Sequence, residues 1–252
     1  MAKRQDTCPC GSGRKTRQCC GAKGHGRSPH HRDEQLVVEM LRYARSRWGV
    51  EWFEQATATY FEEALPEPGE LDPQLFLPWL VHHWSVEGRP VREWYLEERG
   101  ARLVAEERAW LEAQREVVIT VWRILETQPG IGVRVRHLLG PEERFVQERL
   151  GSYQLHPGDA VLGRVVTFEQ STVFCGLYPF PLPPLETGEL VRAVRRELRV
   201  RGVRAIPPEK LAAEDTAVGL ILLWRDQVAY LDHLARWALL EELLAPEDWS
   251  GA

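Results

Sequence analysis

Four cysteines near the N-terminus constrain the fold of this chain more than any other feature. Cys8, Cys10, Cys19 and Cys20 lie within the run CPCGSGRKTRQCCG, and the fifth cysteine, Cys175, stands far downstream. Four thiolates can surround Zn²⁺ tetrahedrally at ~2.3 Å each, and together they fill its coordination shell. Because no position remains for a catalytic water, we predict a structural zinc site with these four residues as ligands.

The residues between the two cysteine pairs suit such a knuckle. Gly11 and Gly13 permit the tight turn that returns the backbone to the metal, and residues 14–18 can form about one helical turn. A piece this short buries too little apolar surface to fold alone, whereas structural zinc contributes roughly 10–16 kcal/mol of apparent binding free energy. We therefore expect residues 1–24 to fold around the metal and residues 25–32 to act as a linker.

Charge is distributed unevenly along the chain. The first 32 residues carry eight Lys or Arg against one acid, whereas the whole chain of 252 residues has a net charge of −5. Four thiolates and one Zn²⁺ leave a local charge of −2, which Arg14, Lys15 and Arg17 partly neutralise. These three residues are the candidate partner-binding positions of a basic head on an acidic body.

The location of the chain in the cell bears on the state of the thiols. No apolar run is long enough to span a bilayer, and the start Met1-Ala-Lys-Arg lacks the apolar stretch of a signal peptide, so we expect a cytoplasmic protein. Clustered thiols in a reducing compartment favour metal binding over disulfides, although a redox pair at Cys8 and Cys10 is an alternative.

The cysteine run closely resembles the SEC-C zinc-binding motif, which occurs at the C-terminus of the SecA translocation ATPase and in many small bacterial proteins. Cys8, Cys10, Cys19 and Cys20 match its four ligand positions. The resemblance covers about 20 residues and implies bound zinc and docking to a SecB-like chaperone or to the ribosome. The rest of the chain is similar to uncharacterised bacterial proteins that carry this motif, and no ATPase activity is implied because motor motifs are missing.

Residues 33–115 have the periodicity of helices. Apolar residues from Leu36 to Ala44 recur on one helical face that Asp33 could cap. Further helices are predicted at 50–64, 73–84, 91–99 and 103–115. Six tryptophans fall in this region, and at helical spacing they indicate a core.

Residues 116–184 have the character of strands. We predict them at 117–122, 133–137, 144–148, 160–168 and 172–178, with Cys175 buried in the last. Five short strands favour a small, partly open barrel of SH3 or OB type. The expected fold class is therefore α+β: a zinc knuckle, a helical domain, a five-stranded barrel and C-terminal helices at 185–252.

One C-terminal helix has a strongly basic face. Arg192, Arg195, Arg196 and Arg199 follow one another at helical spacing, opposite Leu190, Val194 and Leu198. The four arginines could bind phosphates or pair with acids of the acidic body. A last helix, 216–244, is apolar enough that we expect it to pack across the body.

Three classes of function remain. A non-catalytic docking or adaptor protein, with zinc as its cofactor, fits the motif best. A nucleic-acid-binding protein that uses the barrel and the Arg192–Arg199 face is the alternative. An enzyme is the third, although the sequence contains no nucleophile elbow, P-loop or open metal site.

Overall fold

The computed structural model describes residues 29–61, 73–202 and 205–244, with side chains omitted at 29–31 and 237–244. The helices are α1 (Pro29–Trp48), α2 (Glu51–Tyr60), α3 (Pro73–His82), α4 (Val91–Arg99), α5 (Ala105–Ala113), α6 (Gly151–Gln154), α7 (Pro184–Glu197), α8 (Pro208–Leu211) and α9 (Glu214–Leu244). The strands are β1 (Ser85–Val86), β2 (Arg89–Pro90), β3 (Thr120–Gln128), β4 (Gly132–His137), β5 (Glu143–Val146), β6 (Ala160–Phe168) and β7 (Ser171–Leu177).

Helices α1 to α5 form a layer around an aromatic core. Trp79 and Trp110 are fully buried, and Tyr60 and Phe76 lie against each other with ring centroids 4.8 Å apart. Three of the six tryptophans of this region are therefore buried core residues, and the other three, Trp48, Trp84 and Trp94, are partly buried against that core. Pro78 lies inside α3 and is itself buried.

A five-stranded antiparallel sheet follows the helical layer, in the order β5-β4-β3-β6-β7. The turn between β6 and β7 is two residues long and holds Glu169 at φ +53°, and the turn between β3 and β4 holds Gly130 at φ +78°. In β4 the side chains of Val133 and Val135 are buried while Arg134 and Arg136 are exposed, which is the alternation of a strand with one wet face. The chain is thus of mixed α+β class with a five-stranded sheet.

Each face of the sheet covers a different core. One face covers a small cluster that includes Trp122, Val135 and Phe174. The other face, through residues such as Leu162 and Val173, belongs to the same continuous core as the helices. Strand β6 is buried on both faces from Ala160 to Val166, and the face that carries Leu162 joins the sheet to the core of the helices.

The curled sheet does not close into a barrel. Strands β5 and β7, at its two ends, approach each other where the Gln147 backbone N–H donates to the Thr172 carbonyl at 2.8 Å. In the described part of the chain, this is the backbone hydrogen bond that bridges the two edges. We call the gap between β5 and β7 the seam.

The last helix, α9, packs against α2 and α7. Helix α9 buries Leu220, Ile221 and Trp224, and Trp224 Nε1 donates to the Phe180 carbonyl at 3.1 Å. Its residues 232–236 are exposed, so the prediction that the whole helix packs on the body is wrong for this part. None of the helices in the described ranges is long and apolar enough to cross a membrane.

Several element boundaries differ from the predicted ones. Helix α1 begins at Pro29, so residues 29–32 of the predicted linker are helical and Asp33 is not a cap. Asp33 instead lies buried inside the helix and accepts a hydrogen bond from Trp110 Nε1 at 3.0 Å. Strand β3 begins at Thr120, three residues after the predicted start, and α2 ends at Tyr60 rather than at residue 64.

Candidate functional site

The predicted zinc knuckle lies outside the described residues. This applies to the four cysteine ligands and to the basic residues between them, which are Cys8, Cys10, Cys19, Cys20, Arg14, Lys15 and Arg17. In the part that the structure describes, no group of three or more His, Cys, Asp or Glu side chains could hold a metal ion. The zinc site therefore stays a prediction from the sequence.

Helix α7 presents the predicted arginine face. Leu190 and Val194 are buried against the body, at 1% and 3% exposure, because they share the apolar side of an amphipathic helix. Arg192 and Arg196 are exposed on the other side, and Arg195 is half-buried beside the body. Three of the four predicted anion-binding arginines thus lie on the helix itself.

The fourth, Arg199, lies just beyond the end of α7. Its φ of +53° is in the left-handed region, where glycine usually follows a helix. The Val200 N–H donates to the Arg195 carbonyl at 2.8 Å and closes the helix. The prediction that Arg199 continues the helix is therefore wrong, although its exposed side chain remains beside the same helix end.

The end of α7 gathers further basic residues. Lys210 Nζ donates to the Leu198 carbonyl at 2.9 Å, and Arg195 Nη1 donates to the Gly202 carbonyl at 3.1 Å. Cations at this end are favourable because helix carbonyls carry partial negative charge there. We define the arginine patch as the exposed residues Arg192, Arg196, Arg199, Arg201 and Lys210.

Ion pairing distinguishes the patch from two arginines of the sheet. On the sheet, Arg134 pairs with Glu126 at 3.1 Å and Arg136 with Glu143 at 2.6 Å. Among the described residues, no carboxylate lies within ion-pairing distance of Arg192, Arg196 or Arg199. The pairing with surface acids that the sequence allows is therefore absent there, and these three guanidinium groups face solvent.

The patch adjoins the sheet. Arg195 Nη2 reaches the Leu138 carbonyl at 3.5 Å, and the Ile206 N–H donates to the Leu139 carbonyl at 2.8 Å. Both carbonyls belong to the turn between β4 and β5. Lys210 lies on α8 and reaches the patch because α8 packs at the end of α7. No spacing in the sequence predicts this contact.

A second polar cluster lies buried between the helices and the sheet. The Arg164 guanidinium is fully buried and donates to Gln114 Oε1 at 2.8 Å, to the Cys175 carbonyl at 3.0 Å and to His83 Nε2 at 3.0 Å. Arg92 Nη1 donates to the Gln114 carbonyl at 2.8 Å. In the sequence, this cluster is indicated by one feature alone, the single arginine Arg164 within the apolar strand 160–168.

The protonation states of Cys175 and His83 indicate that this cluster has a structural role. Burial raises the pKa of the Cys175 thiol to about 12, so it stays protonated and is a poor nucleophile. Burial, and then the charge of Arg164, hold the pKa of His83 well below its usual 6.5. The Arg164 guanidinium is therefore surrounded by the neutral imidazole of His83, the thiol of Cys175 and the amide of Gln114. These contacts hold the helices against the sheet.

Comparison of the chain with protein families, with curated proteins and with solved structures gives no match.

Proposed function

We propose that this chain is a non-catalytic docking protein that binds zinc through a SEC-C knuckle and contacts the ribosome through its arginine patch. The observation that carries the proposal is the set of exposed guanidinium groups of Arg192, Arg196 and Arg199, which have no ion pair among the described residues. Guanidinium groups of this kind bind phosphate oxygens, and ribosomal RNA presents phosphates at high density.

Zinc is supported by the chemistry of the donor set. Four thiols in thirteen residues match what a closed tetrahedral site needs, and they match the ligand positions of the SEC-C motif. Cys8, Cys10, Cys19 and Cys20 would hold the metal, which would stabilise the fold of the head. A metal with four protein ligands has no open position, which supports a docking role rather than catalysis.

The strand order supports a barrel of OB type that is open at the seam. Counting from β3, the sheet reads 3-2-1-4-5, with the short helix α6 between the third and fourth strands. Barrels of this type are frequent in proteins that bind nucleic acids, and this adds to the case for RNA by analogy of fold alone.

Co-sedimentation of the purified chain with ribosomes at several salt concentrations tests the patch. We expect binding to weaken steeply with salt, and the variant Arg192→Glu/Arg196→Glu to bind at least about tenfold more weakly, with a log–log salt slope smaller by about 2. Arg42→Glu/Arg45→Glu is the charge-matched control, because both arginines are exposed on α1 and, like those of the patch, have no ion pair among the described residues. Equal co-sedimentation of the patch variant and the control would reject the ribosome as its ligand.

Metal analysis of the same samples tests the knuckle. We expect one zinc per chain in the wild type and none in Cys19→Ser/Cys20→Ser, with the thermal transition of the body retained. If zinc is present but ribosomes are not bound by any variant, binding to an acidic chaperone of SecB type becomes the next hypothesis. If the wild type contains no zinc, the SEC-C assignment is rejected.

A further inference from the structure

An aromatic side chain on strand β5 lies open to solvent, on the face of the sheet that carries Arg134 and Arg136. Phe145 is 36% exposed and lies opposite Arg134 of β4. Its ring reaches over Gly132, since a Cβ built on this glycine would lie 3.0 Å from the ring atoms Cε1 and Cζ. The sheet therefore supports the ring from one side and leaves part of it accessible.

Two arginines lie side by side on the same face. Arg123 of β3 and Arg136 of β4 are directly opposite each other, an arrangement of like charges that destabilises a sheet. Glu143 pairs with Arg136 at 2.6 Å. Arg123 has no carboxylate within ion-pairing distance among the described residues, and its buried Nε has no hydrogen-bond acceptor there. An anion beside Arg123 would therefore be favourable.

This surface adjoins the arginine patch. At the turn between β4 and β5, Arg195 Nη2 reaches the Leu138 carbonyl at 3.5 Å. Arg134, which lies opposite Phe145, is four residues before Leu138, or about 13 Å away along the strand. A strand of nucleic acid that leaves the patch along β4 would therefore pass Arg136 and reach the ring of Phe145.

We propose that the ring of Phe145 stacks on an unpaired base of an RNA strand whose phosphates are bound by the arginine patch and by Arg123. This assignment rests on the proposed function and names the kind of RNA that the patch binds. An exposed ring can stack on any base, and guanidinium groups bind the phosphates beside it. A base inside a duplex is already stacked on both sides, so the site requires single-stranded nucleotides, which RNA presents in loops and bulges.

Fluorescence anisotropy of labelled RNA, titrated with the full-length chain, measures the binding. The probes are a single-stranded oligouridine of about 12 nucleotides and a blunt-ended duplex of the same length. We expect Phe145→Ala to weaken binding of the single strand about tenfold, since one stacked base is lost, and to leave binding of the duplex unchanged. Tyr230→Ala is the control, because Tyr230 is an exposed aromatic residue on α9, at 53%.

Further variants separate stacking from the packing of Phe145 over Gly132. Phe145→Leu keeps an apolar cover on the glycine but has no ring, so it should weaken binding as Phe145→Ala does, whereas Phe145→Trp should retain it. Stacking releases no counterions, so the salt dependence of these variants should equal that of the wild type. Arg123→Gln should instead lower the log–log salt slope by about 0.7.

Three results would each overturn the proposal. These are equal binding of the single strand by Phe145→Ala and Tyr230→Ala, full binding by Phe145→Leu, and no saturable binding of the single strand by the wild type. In each case, ribosome binding that still depends on Arg192 and Arg196 would leave the proposed function intact. A wild type that binds ribosomes but neither RNA probe would indicate a ribosomal protein as the partner.

Discussion

The guanidinium of Arg164 donates from Nε to Nε2 of His83 at 3.0 Å, inside the contact between the helical layer and the sheet. An imidazole nitrogen that accepts a hydrogen bond carries no proton, so His83 is neutral in the folded protein. Protonation would place two cations side by side at this contact. The neighbouring His82 is buried, and burial holds its pKa well below 6.5.

Acid is therefore expected to destabilise the protein. His82, His83 and His137 all have lowered pKa values, with that of His137 at about 4 because it is buried. The unfolded chain takes up protons below about pH 6.5 while the folded chain does not, so stability is complete above that pH and falls from about 6.5 toward 4. Each histidine contributes a slope of at most about 1.4 kcal/mol per pH unit. Urea unfolding across this range measures it.

A matched pair of variants assigns the acid sensitivity. His137→Gln should reduce the slope between pH 4 and 6.5 by the contribution of one histidine, while those of His82 and His83 remain. His156→Gln is the control, a substitution at a histidine whose side chain is largely exposed. A flat stability profile in the wild type over this range would contradict the neutral, buried state of these histidines.

The geometry of the Arg164 contacts matters more than its charge. Arg164→Lys keeps the charge, but a single ammonium cannot reach the acceptors that the planar guanidinium binds on Gln114, Cys175 and His83. We expect it to lower the free energy of unfolding by about 2 kcal/mol, since buried acceptors lose their partners. Arg108→Lys, on the surface, should change it by less than about 0.5 kcal/mol. Equal effects of the two substitutions in chemical denaturation would refute this role.

Close approach of two strands depends on Gly132. A Cβ at this position would lie 2.2 Å from the Val146 carbonyl oxygen of the paired strand β5. Gly132→Ala should therefore destabilise the protein by roughly 1–3 kcal/mol, because backbone must move. Gly100→Ala is the control, since the nearest atom to its added Cβ, Leu96 Cδ2, lies 4.0 Å away. Thermal unfolding of both variants distinguishes them, and a Gly132→Ala transition at the wild-type temperature would contradict the contact.

Substitution of Arg199 by glycine should raise the stability of the fold and weaken its binding to ribosomes. Its φ of +53° costs a side-chain-bearing residue about 1 kcal/mol relative to glycine. Arg199→Gly is thus expected to stabilise the fold by about 1 kcal/mol while weakening ribosome binding, because one guanidinium of the arginine patch is lost. Denaturation and co-sedimentation of the same sample test both halves, and a destabilised variant would show that Arg199 makes a structural contact instead.

Local patterns in the sequence predicted the elements well where packing agrees with them. Strand β6 has the predicted bounds, 160–168, because its continuous apolar run suits a strand that is buried on both faces. The two faces of α7 and the buried state of Cys175 also follow from local pattern. Prediction failed at α1, where Pro29 begins the helix and Asp33 is drawn inward by Trp110.

The candidate sites depended more on distant parts of the chain. Arg192, Arg195 and Arg196 were found by helical spacing, but Lys210 reaches the patch only because α8 folds back on the end of α7. The seam could not be predicted, because it depends on where β5 leaves the sheet rather than on which residues form it.

The burial of strand β6 also constrains how such a chain can evolve. Strand β6 is buried on both faces from Ala160 to Val166, and one of these faces packs against the helices. Each region would therefore expose apolar side chains if the other were absent. Recombination between α5 and β3 would leave each product with an incomplete hydrophobic core. The two regions should therefore be inherited together, because either one alone would expose the apolar surface that the other covers.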